Sequence, residues 1–405
     1  MKFIPTSALV VICMFLGISM GWLEVPFCLQ IATALADIFM SLFKAISLPM
    51  IFFSLVTAIS GLPGMKEARK MGGRIFFLAI FTTFLSAMVA LGVYLSFRPV
   101  APSLDLLERG AAVSIEASTY FSSLRKIIPQ NLLAPFIEGN SLSVVFIAIS
   151  LGLAGLSLPS EQRKKIHGFF EVFLALLMKL VGAIHWILPV GVWAFACLFA
   201  QDLKNGSSLA SLALYVATVV IANFIQAVVV LPLLLYRAKI PILKSLKGMW
   251  PALSFAFFAK SSCAAMPLAM SCAENHLQVR KNVSRFSYPL CTSVNMNACA
   301  GFIVITFLFV AESHGLVFSP WGFLQWALIG TIVAMGHAGV PMGCFFLASA
   351  LIAQANLPLT LMGIILPFYT LLDMLESAIN LWSDSCITLI LDQQEKSLVS
   401  DSFTH

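Results

Sequence analysis

Residues 361–391 read LMGIILPFYTLLDMLESAINLWSDSCITLIL, an almost wholly apolar run that nevertheless carries Asp373, Glu376, Asn380 and Asp384. Offsets of three, seven and eleven residues place these four side chains on one face of a single α-helix, with Ser377 one position away. An ionised side chain at the centre of a bilayer costs roughly 3 kcal/mol even on insertion scales. Three carboxylates on one stripe therefore indicate a stripe that faces protein, water or a bound cation. The run predicts a polar track through a membrane.

Composition agrees with a membrane setting. The chain of 405 residues is 60% hydrophobic and only 10% charged, whereas soluble domains average about 25% charged residues. Apolar runs follow one another nearly end to end, which is typical of one polytopic bundle surrounded by lipid. The net charge of +6 comes from short basic clusters between these runs, so we expect no nucleic-acid partner.

The basic clusters predict the topology. With the N-terminus in the cytoplasm and eight apolar segments alternating across the membrane, fourteen loop Lys and Arg residues lie inside and five outside. Both termini are then cytoplasmic. Two further apolar stretches, about 249–273 and 322–357, are broken by Ser, Gly and Pro, and the alternation holds only if both are re-entrant hairpins. The eight full segments are 7–23, 31–62, 74–97, 143–158, 168–200, 208–235, 284–311 and 361–391.

The hairpin tips and one helix break suggest where a binding site lies. The tips read KSSCAA (260–265) and GHAGVPMG (336–343), and helix N-termini at such tips offer N–H groups to an anion. Each hairpin precedes a full helix and opens from the opposite side of the membrane, an inverted repeat that places transporter sites at the bilayer midplane. Asn295-Met296-Asn297 interrupts the helix after the first hairpin. Buried amides need polar partners, and their oxygens suit Na⁺.

Together, in chain order, these and further motifs carry a resemblance. From about residue 30 to 392 the chain resembles a divergent member of the dicarboxylate/amino acid:cation symporter family, which includes glutamate transporters. The resemblance implies an all-α glutamate-transporter-homologue fold, an elevator mechanism, a homotrimer in the inner (plasma) membrane, Na⁺ or H⁺ as coupling ion, and neither enzymatic activity nor another cofactor. The motifs are Asp37-Ile38-Phe39 with Lys44 and Pro49, Ile128-Pro129-Gln130-Asn131, Glu138-Gly139-Asn140, the Ser-rich first tip, the Asn-Met-Asn break, Ala338-Gly339-Val340-Pro341, and Leu372-Asp373-Met374 with Asn380 and Asp384.

The resemblance also implies roles for residues of this chain. Asp373 would bind the substrate's α-ammonium group, and Asn380 its α-carboxylate. The remaining substrate-binding residues would be Ser261, Ser262, Gly339, Val340, Glu376 and Ser377. One cation site would comprise Asp384 with carbonyls near Cys291, Asn295 and Asn380, a second Thr82, Thr83, Asn295 and Asn297, and a third the carbonyls of Ser293, Ala334, Met335 and His337.

Four departures from the family pattern affect the expected substrate and ion. Asn297 replaces an acidic cation ligand, which implies weaker Na⁺ coupling or partial replacement by H⁺. Glu376 stands where carriers of acidic substrates have Arg, which favours a non-acidic amino acid. Two alternatives stay open: Glu376 pairs with Lys260 or is protonated, which would allow glutamate, aspartate or a C4-dicarboxylate. Cys263 replaces a tip Ser, and His337 replaces a Thr, either as a structural residue or as a proton carrier.

The resemblance divides the chain into a scaffold and a moving unit. Residues 1–73 and 98–236 would form scaffold and oligomerisation helices, and 74–97 would join the transport core of 237–395, followed by a cytoplasmic tail, 396–405. Two other interpretations of the polar stripe are an interhelical hydrogen-bond network and an ion channel, whose filters also use re-entrant loops. The nine Cys residues show no pairing or metal spacing, so we expect no disulfide and no zinc site.

Overall fold

The computed structural model describes residues 6–61, 66–100, 128–129, 131–137, 141–204, 209–337 and 342–402, and within these ranges the regular structure is entirely helical. The α-helices are α1 (Thr6–Trp22), α2 (Pro26–Ser60), α3 (Lys66–Phe97), α4 (Ala134–Ile137), α5 (Ser141–Ser157), α6 (Ser160–Lys204), α7 (Leu209–Ile225), α8 (Leu231–Arg237), α9 (Ile242–Ala259), α10 (Ser262–His276), α11 (Lys281–Val294), α12 (Asn297–Ser313), α13 (Pro320–Ala334), α14 (Gly343–Gln354) and α15 (Thr360–Ser402).

Four helical stretches of the described chain are long and apolar enough to cross a membrane: Met71–Phe97, Ala210–Arg237, Lys281–Ser313 and Thr360–Lys396. Large apolar side chains such as those of Phe77, Phe224 and Leu371 lie on the outer surface, where lipid would cover them. A multi-pass membrane protein is therefore the architecture that length and composition support.

The interior is organised around α12. Every residue from Asn297 to Ser313 is buried, because α3, α7, α13, α14 and α15 pack around this helix. A helix that is apolar on all sides can be stable only when other elements enclose it in this way. The polar stripe of α15 therefore faces protein.

Helix breaks occur where the sequence predicts them. Helix α9 ends at Ala259, and Lys260 adopts a left-handed conformation with φ of 53° before α10 begins. The Ser261 hydroxyl caps α10 by accepting a hydrogen bond of 3.1 Å from the Ala264 N–H. Helix α13 ends at Ala334 and α14 begins at Gly343.

The predicted segment 208–235 is not one regular α-helix. It consists of α7, a π-helical turn (Gln226–Val230) and α8. Such turns are frequent at functional sites. Here the turn begins at Gln226, whose side chain is fully buried and hydrogen-bonds to the break between α11 and α12. A π-helical turn contains one residue more than an α-helical turn. The pattern of apolar residues alone does not reveal this additional residue.

Tight packing joins α1 to α6. Gly17 and Gly21 lie one turn apart on α1 and approach the backbone and small side chains of α6 around Ala196, Cys197 and Ala200. Small residues four apart permit close helix contact in membranes. The long helix α6 thus packs against both α1 and α2.

Candidate functional site

The polar stripe of α15 is buried along its whole length. Asp373, Glu376 and Asn380 are each 2% exposed, and Asp384 is fully buried. The structure brings the stripe against the break between α11 and α12 at Asp384. Near Asp373 the stripe meets Met342, just before α14, and lies within electrostatic range of Lys260, between α9 and α10; we call α9–α10 the first helix pair and α13–α14 the second helix pair. These are two polar clusters about three helical turns apart on α15.

The first cluster surrounds Asp384. The side-chain amide of Asn295 donates to Asp384 Oδ1 at 2.8 Å and to Ser383 Oγ at 2.9 Å. Asp384 Oδ2 is buried and has no hydrogen-bond partner among the described residues. Thr83 Oγ1, on α3, is likewise buried without a partner in the described part of the chain. Buried acceptors without donors are costly, so these oxygens suit a cation.

Asn297 fills the centre of the same cluster with its side-chain amide nitrogen. This nitrogen donates to Asn295 Oδ1 at 2.6 Å, to Ser383 Oγ at 2.8 Å and to Thr82 Oγ1 at 3.3 Å. Three oxygens thus surround an NH₂ group with two protons to donate, as they would surround a small cation. On the other side of the amide, Asn297 Oδ1 accepts a bond of 2.7 Å from Gln226.

The second cluster surrounds Asp373. Its Oδ1 accepts a hydrogen bond from the Tyr369 hydroxyl, and its Oδ2 accepts one from the Met342 N–H, each at 3.2 Å. Lys260, between α9 and α10, lies near enough for its charge to act on Asp373. The carboxylate is therefore bonded to the residue that precedes α14 and lies within electrostatic range of the turn between α9 and α10.

Glu376 lies one turn farther along α15. Neither of its carboxylate oxygens makes a hydrogen bond with a described residue. The neighbouring Tyr369 has a single hydroxyl proton and donates it to Asp373. Lys260 forms no ion pair with Glu376 in the described structure, so the Lys260 pairing considered from the sequence is not observed.

Asn380 connects α15 to the start of α12. Its Oδ1 accepts from the Ala298 N–H at 2.9 Å, and its Nδ2 donates to Cys299 Sγ at 3.2 Å. Ser262 and Ser377 are buried, while the Ser261 hydroxyl serves as the cap of α10. In this state Asn380 orders the first turn of α12 through both of its polar groups.

Cys299 and Cys344 form a disulfide between α12 and α14, with Cα atoms 5.6 Å apart. The expectation that no cysteine pair forms was therefore wrong. The two residues are 45 positions apart in the chain, and only the packing of α14 on α12 brings them together. No short-range spacing could have revealed the pair.

The remaining residues predicted for the site lie on the described backbone, with two exceptions. Gly339 and Val340 fall outside the described residues. The carbonyls of Cys291 and Ala334 already accept backbone bonds from Asn295 and His337, each with one lone pair left over. The Ser293 hydroxyl donates to the Pro289 carbonyl. Met335 and His337 follow the end of α13 and are buried.

Sequence reasoning missed four residues of the two clusters. Tyr369 precedes Asp373 by four positions on the same helical face, and Ser383 adjoins Asp384, so both could have been found from the stripe itself. Gln226 is a lone amide within an apolar run, which is a similar signal. Ser86 donates to the Asn297 carbonyl at 2.7 Å, and a single Ser in an apolar helix gives no such signal.

Comparison with known proteins agrees with this geometry. Residues 7–394 match the sodium:dicarboxylate symporter family. A Caenorhabditis elegans protein named as a sodium-dependent excitatory amino acid transporter is 24% identical over 421 residues, covering 91% of this chain and 78% of its own length. A second such protein of that organism is 25% identical, covering 95% and 79%. The L-cystine uptake protein of Bacillus thuringiensis strain Al Hakam is 26% identical, covering 90% and 82%.

The resemblance read from the motifs is confirmed by these matches, as is the expectation of a transporter rather than an enzyme. The family description names sodium, which supports a cation as the coupling ion and a small molecule as the substrate. The match covers nearly the entire chain, and the protein therefore belongs to the sodium:dicarboxylate symporter family.

Proposed function

We propose that the protein is a secondary active symporter that imports an amino acid with a non-acidic side chain, together with a cation, across the inner (plasma) membrane. One observation carries the choice of substrate: Glu376 is buried beside Asp373 with both carboxylate oxygens unbonded within the described residues. Two like charges about 4 Å apart repel by roughly 4 kcal/mol at an effective dielectric constant of 20. A glutamate or aspartate side chain is therefore disfavoured beside Glu376, and a neutral or cationic side chain fits better.

Asp373 and Asn380 are the proposed anchors for the substrate backbone. A substrate ammonium group can displace the Met342 N–H from Asp373, because a charge-assisted bond is stronger than the neutral bond of 3.2 Å that it replaces. Asn380 Nδ2, which now donates to a sulfur, would turn to the α-carboxylate. Ser261, Ser262 and Ser377 would line the same group, and Gly339 and Val340 would cover it from the second helix pair.

The proposed cation site of highest charge contains Asp384. Its unbonded Oδ2 is a hard oxygen ligand of the kind that Na⁺ accepts, with carbonyls of Cys291, Asn295 and Asn380 nearby in the proposal. Thr82, Thr83, Asn295 and Asn297 would form a weaker second site, because the Asn297 amide nitrogen already donates to Thr82 Oγ1, to Asn295 Oδ1 and to the adjacent Ser383 Oγ. Carbonyls of Ser293, Ala334, Met335 and His337 would form a third. Na⁺, H⁺ or both remain the proposed coupling ions.

The proposed arrangement in the membrane has eight transmembrane helices, two re-entrant hairpins (α9–α10 and α13–α14) and cytoplasmic termini. Residues 1–73 and 98–236 form the scaffold and oligomer interface of a homotrimer. Residues 74–97 and 237–395 form the unit that moves. Support comes from the left-handed turn at Lys260, because non-helical backbone at membrane depth persists only inside protein or a water-filled cavity.

A thermal-shift panel tests the proposed substrate. Purified protein is heated with each amino acid and with C4-dicarboxylates, in NaCl and in choline chloride. A ligand at a hundredfold excess over Kd stabilises by about 2.7 kcal/mol. We expect a neutral or basic amino acid to raise Tm, and to do so more strongly in NaCl. Stabilisation by glutamate, aspartate or succinate above all others would contradict the proposal.

The second candidate is a symporter for glutamate, aspartate or a C4-dicarboxylate. The two Caenorhabditis elegans relatives, named as excitatory amino acid transporters, favour it, whereas the L-cystine uptake relative favours a substrate without a net negative charge. Competition against labelled substrate in vesicles separates the two candidates. Counterflow in the same vesicles separates a carrier from a channel, since only a carrier exchanges solute without a net gradient.

A further inference from the structure

Three soft ligands converge where α12, α13 and α14 meet. Cys299 lies in the first turn of α12, Cys344 in the first turn of α14, and His337 just beyond the end of α13. The two sulfur atoms and an imidazole nitrogen all lie within 4.8 Å of one another. The two cysteines are fully buried, and His337 is 6% exposed.

The distances are close to those of a metal centre. Zinc binds sulfur at about 2.3 Å and histidine nitrogen at about 2.0–2.1 Å, so tetrahedral ligands lie about 3.5–3.8 Å apart. Side-chain adjustments of about an ångström would reach that arrangement from the observed one. Three protein ligands leave a fourth position for water or a small anion.

Two neighbouring residues support the ligands. The Asn380 amide donates to Cys299 Sγ at 3.2 Å, and hydrogen bonds to a sulfur stabilise its thiolate form. Gly343 leaves room for the His337 ring, because a Cβ at that position would lie 2.6 Å from His337 Nε2. The imidazole can therefore rest directly against the backbone of α14.

Charge selects the class of ion. Two thiols lose two protons when they bind a divalent cation, so two thiolates, a neutral imidazole and the ion have no net charge. A neutral centre suits a buried site, since an uncompensated charge there is costly. Sulfur and imidazole select Zn²⁺, Cd²⁺ or other thiophilic ions over Na⁺ and Mg²⁺.

We propose that Cys299, Cys344 and His337, when the cysteine pair is reduced, form a binding site for a thiophilic divalent cation. The disulfide seen here is the oxidised state of the same pair. Two thiols reduce it by exchange, giving two Cys thiols and their own disulfide, and a phosphine with one water molecule gives two Cys thiols and the phosphine oxide. Either the disulfide or the metal ties α14 to α12, so both would restrain the second helix pair.

Cadmium uptake by the purified protein tests the site. The protein is reduced with a phosphine, freed of reductant without air, and titrated with Cd²⁺, followed by Cd–thiolate charge-transfer absorption and by metal analysis. We expect Cys299→Ser and Cys344→Ser each to bind one equivalent fewer than the native protein. Cys272→Ser, a buried cysteine of α10 outside the cluster, is the control and should bind as the native protein does.

Two further arms make the outcome decisive. Gly343→Ala keeps both thiols but displaces His337, and we expect Cd²⁺ affinity to fall at least tenfold. Native protein that has not been reduced should also bind one equivalent of Cd²⁺ fewer than the reduced protein, and it should gain that equivalent when the phosphine is added. The site is refuted if Cys299→Ser and Cys344→Ser, eluting as native in size-exclusion chromatography, bind as much Cd²⁺ as Cys272→Ser. None of these readouts depends on transport, so the test stands whether or not the proposed substrate is correct.

Discussion

At the scale of single residues, Asn297 would decide how much room the proposed second cation site offers. Replacing it by Asp turns a donor into an acceptor opposite Asn295 Oδ1, at the 2.6 Å contact. Without Na⁺ the oxygens then repel, and with Na⁺ they coordinate. We expect Asn297→Asp to lower Tm in choline chloride and to reduce the Na⁺ concentration for half-maximal uptake about tenfold, which corresponds to about 1.4 kcal/mol.

The control for this variant is Asn223→Asp. Asn223 is a buried amide of α7 that makes no hydrogen bond to the cluster within the described residues, so its replacement should leave the Na⁺ dependence of uptake unchanged. A steep Na⁺ dependence in the native protein that Asn297→Asp does not alter would show that the amide nitrogen does not compete with a cation.

Glu376 gives a prediction of stability at the same scale. Its buried carboxylate lacks hydrogen bonds in the described structure, so Glu376→Gln removes an uncompensated negative charge with little change of volume. We expect the free energy of unfolding of the substrate-free protein to rise by about 1–3 kcal/mol. Glutamate should also compete better for uptake in this variant.

Glu312→Gln is the matched comparison, because Glu312 accepts bonds from Tyr94 at 2.7 Å and Arg98 at 2.9 Å. Relative to the native protein, Tm should therefore rise in Glu376→Gln and fall in Glu312→Gln. A lower Tm in Glu376→Gln would mean that the native carboxylate is stabilised by a group that the described residues do not reveal.

At the scale of elements, the π-helical turn brings Gln226 to the break between α11 and α12. Gln226→Met keeps the length of the side chain but removes the donor to Asn297 Oδ1. We expect the free energy of unfolding to fall by about 1–3 kcal/mol, because a buried acceptor loses its partner.

A double-mutant cycle with Asn297→Ala isolates the contact made by this turn. Coupling between bonded residues is typically about 0.5–3 kcal/mol, and we expect a value within that range. Asn223→Leu serves as the control, since neither polar atom of Asn223 is bonded to a described residue. Additive effects of Gln226→Met and Asn297→Ala would exclude the coupling.

The contact between α1 and α6 gives a second prediction for elements. A Cβ at Gly21 would lie 2.8 Å from the Cys197 carbonyl carbon and 2.9 Å from Ala200 Cβ. We expect Gly21→Ala to lower the free energy of unfolding by about 1–3 kcal/mol through overpacking. Gly168→Ala, on the open side of α6 with nothing within 4 Å, should be neutral or stabilising by up to about 1 kcal/mol. Equal Tm values for the two variants would argue against close packing of α1.

At the scale of the whole molecule, ion pairs tie the end of α15 to the rest of the bundle. Asp392 accepts from Arg280 at 2.8 Å and pairs with Lys396 at 2.6 Å, whereas Glu395 pairs with Arg74 at 2.9 Å. The Asp392 side chain is 5% exposed and that of Glu395 32%. We expect Asp392→Asn to cost about 1.5 kcal/mol, since its partners are partly exposed, and Glu395→Gln less than about 1 kcal/mol.

The salt dependence of Tm tests whether the expected loss of stability in Asp392→Asn comes from charge. Screening at about 1 M ionic strength shortens the Debye length to about 3 Å, so the difference in Tm between Asp392→Asn and the native protein should shrink in high salt. A difference that is independent of salt would indicate lost packing rather than lost charge.

Much of the architecture follows from sequence because each signal is local. The stripe on α15 has helical spacing, and the breaks at Lys260 and at Asn295–Asn297 interrupt apolar runs visibly. The π-helical turn and the Cys299–Cys344 pair could not be predicted, since one depends on an inserted residue and the other on packing across 45 positions. For the site, residue types indicated the clusters. Which amide nitrogen faces which oxygen depends on the relative positions of α3, α12 and α15, and no sequence pattern states them.

The amide nitrogen of Asn297 also bears on how steep a gradient the carrier can build. A fixed N–H among three oxygens travels with the protein and carries no ionic current, so in the proposed cycle it contributes nothing to the work of accumulation. Each positive charge that enters with the solute adds about 2.3 kcal/mol per 100 mV of membrane potential. A factor of ten in concentration corresponds to about 1.4 kcal/mol. At a membrane potential of about 100 mV, transport with one charge fewer therefore lowers the attainable ratio of inside to outside solute about fiftyfold. In the proposed cycle the cell would gain uptake that draws less on its ion gradients, and it would give up the capacity to scavenge solute from very dilute surroundings.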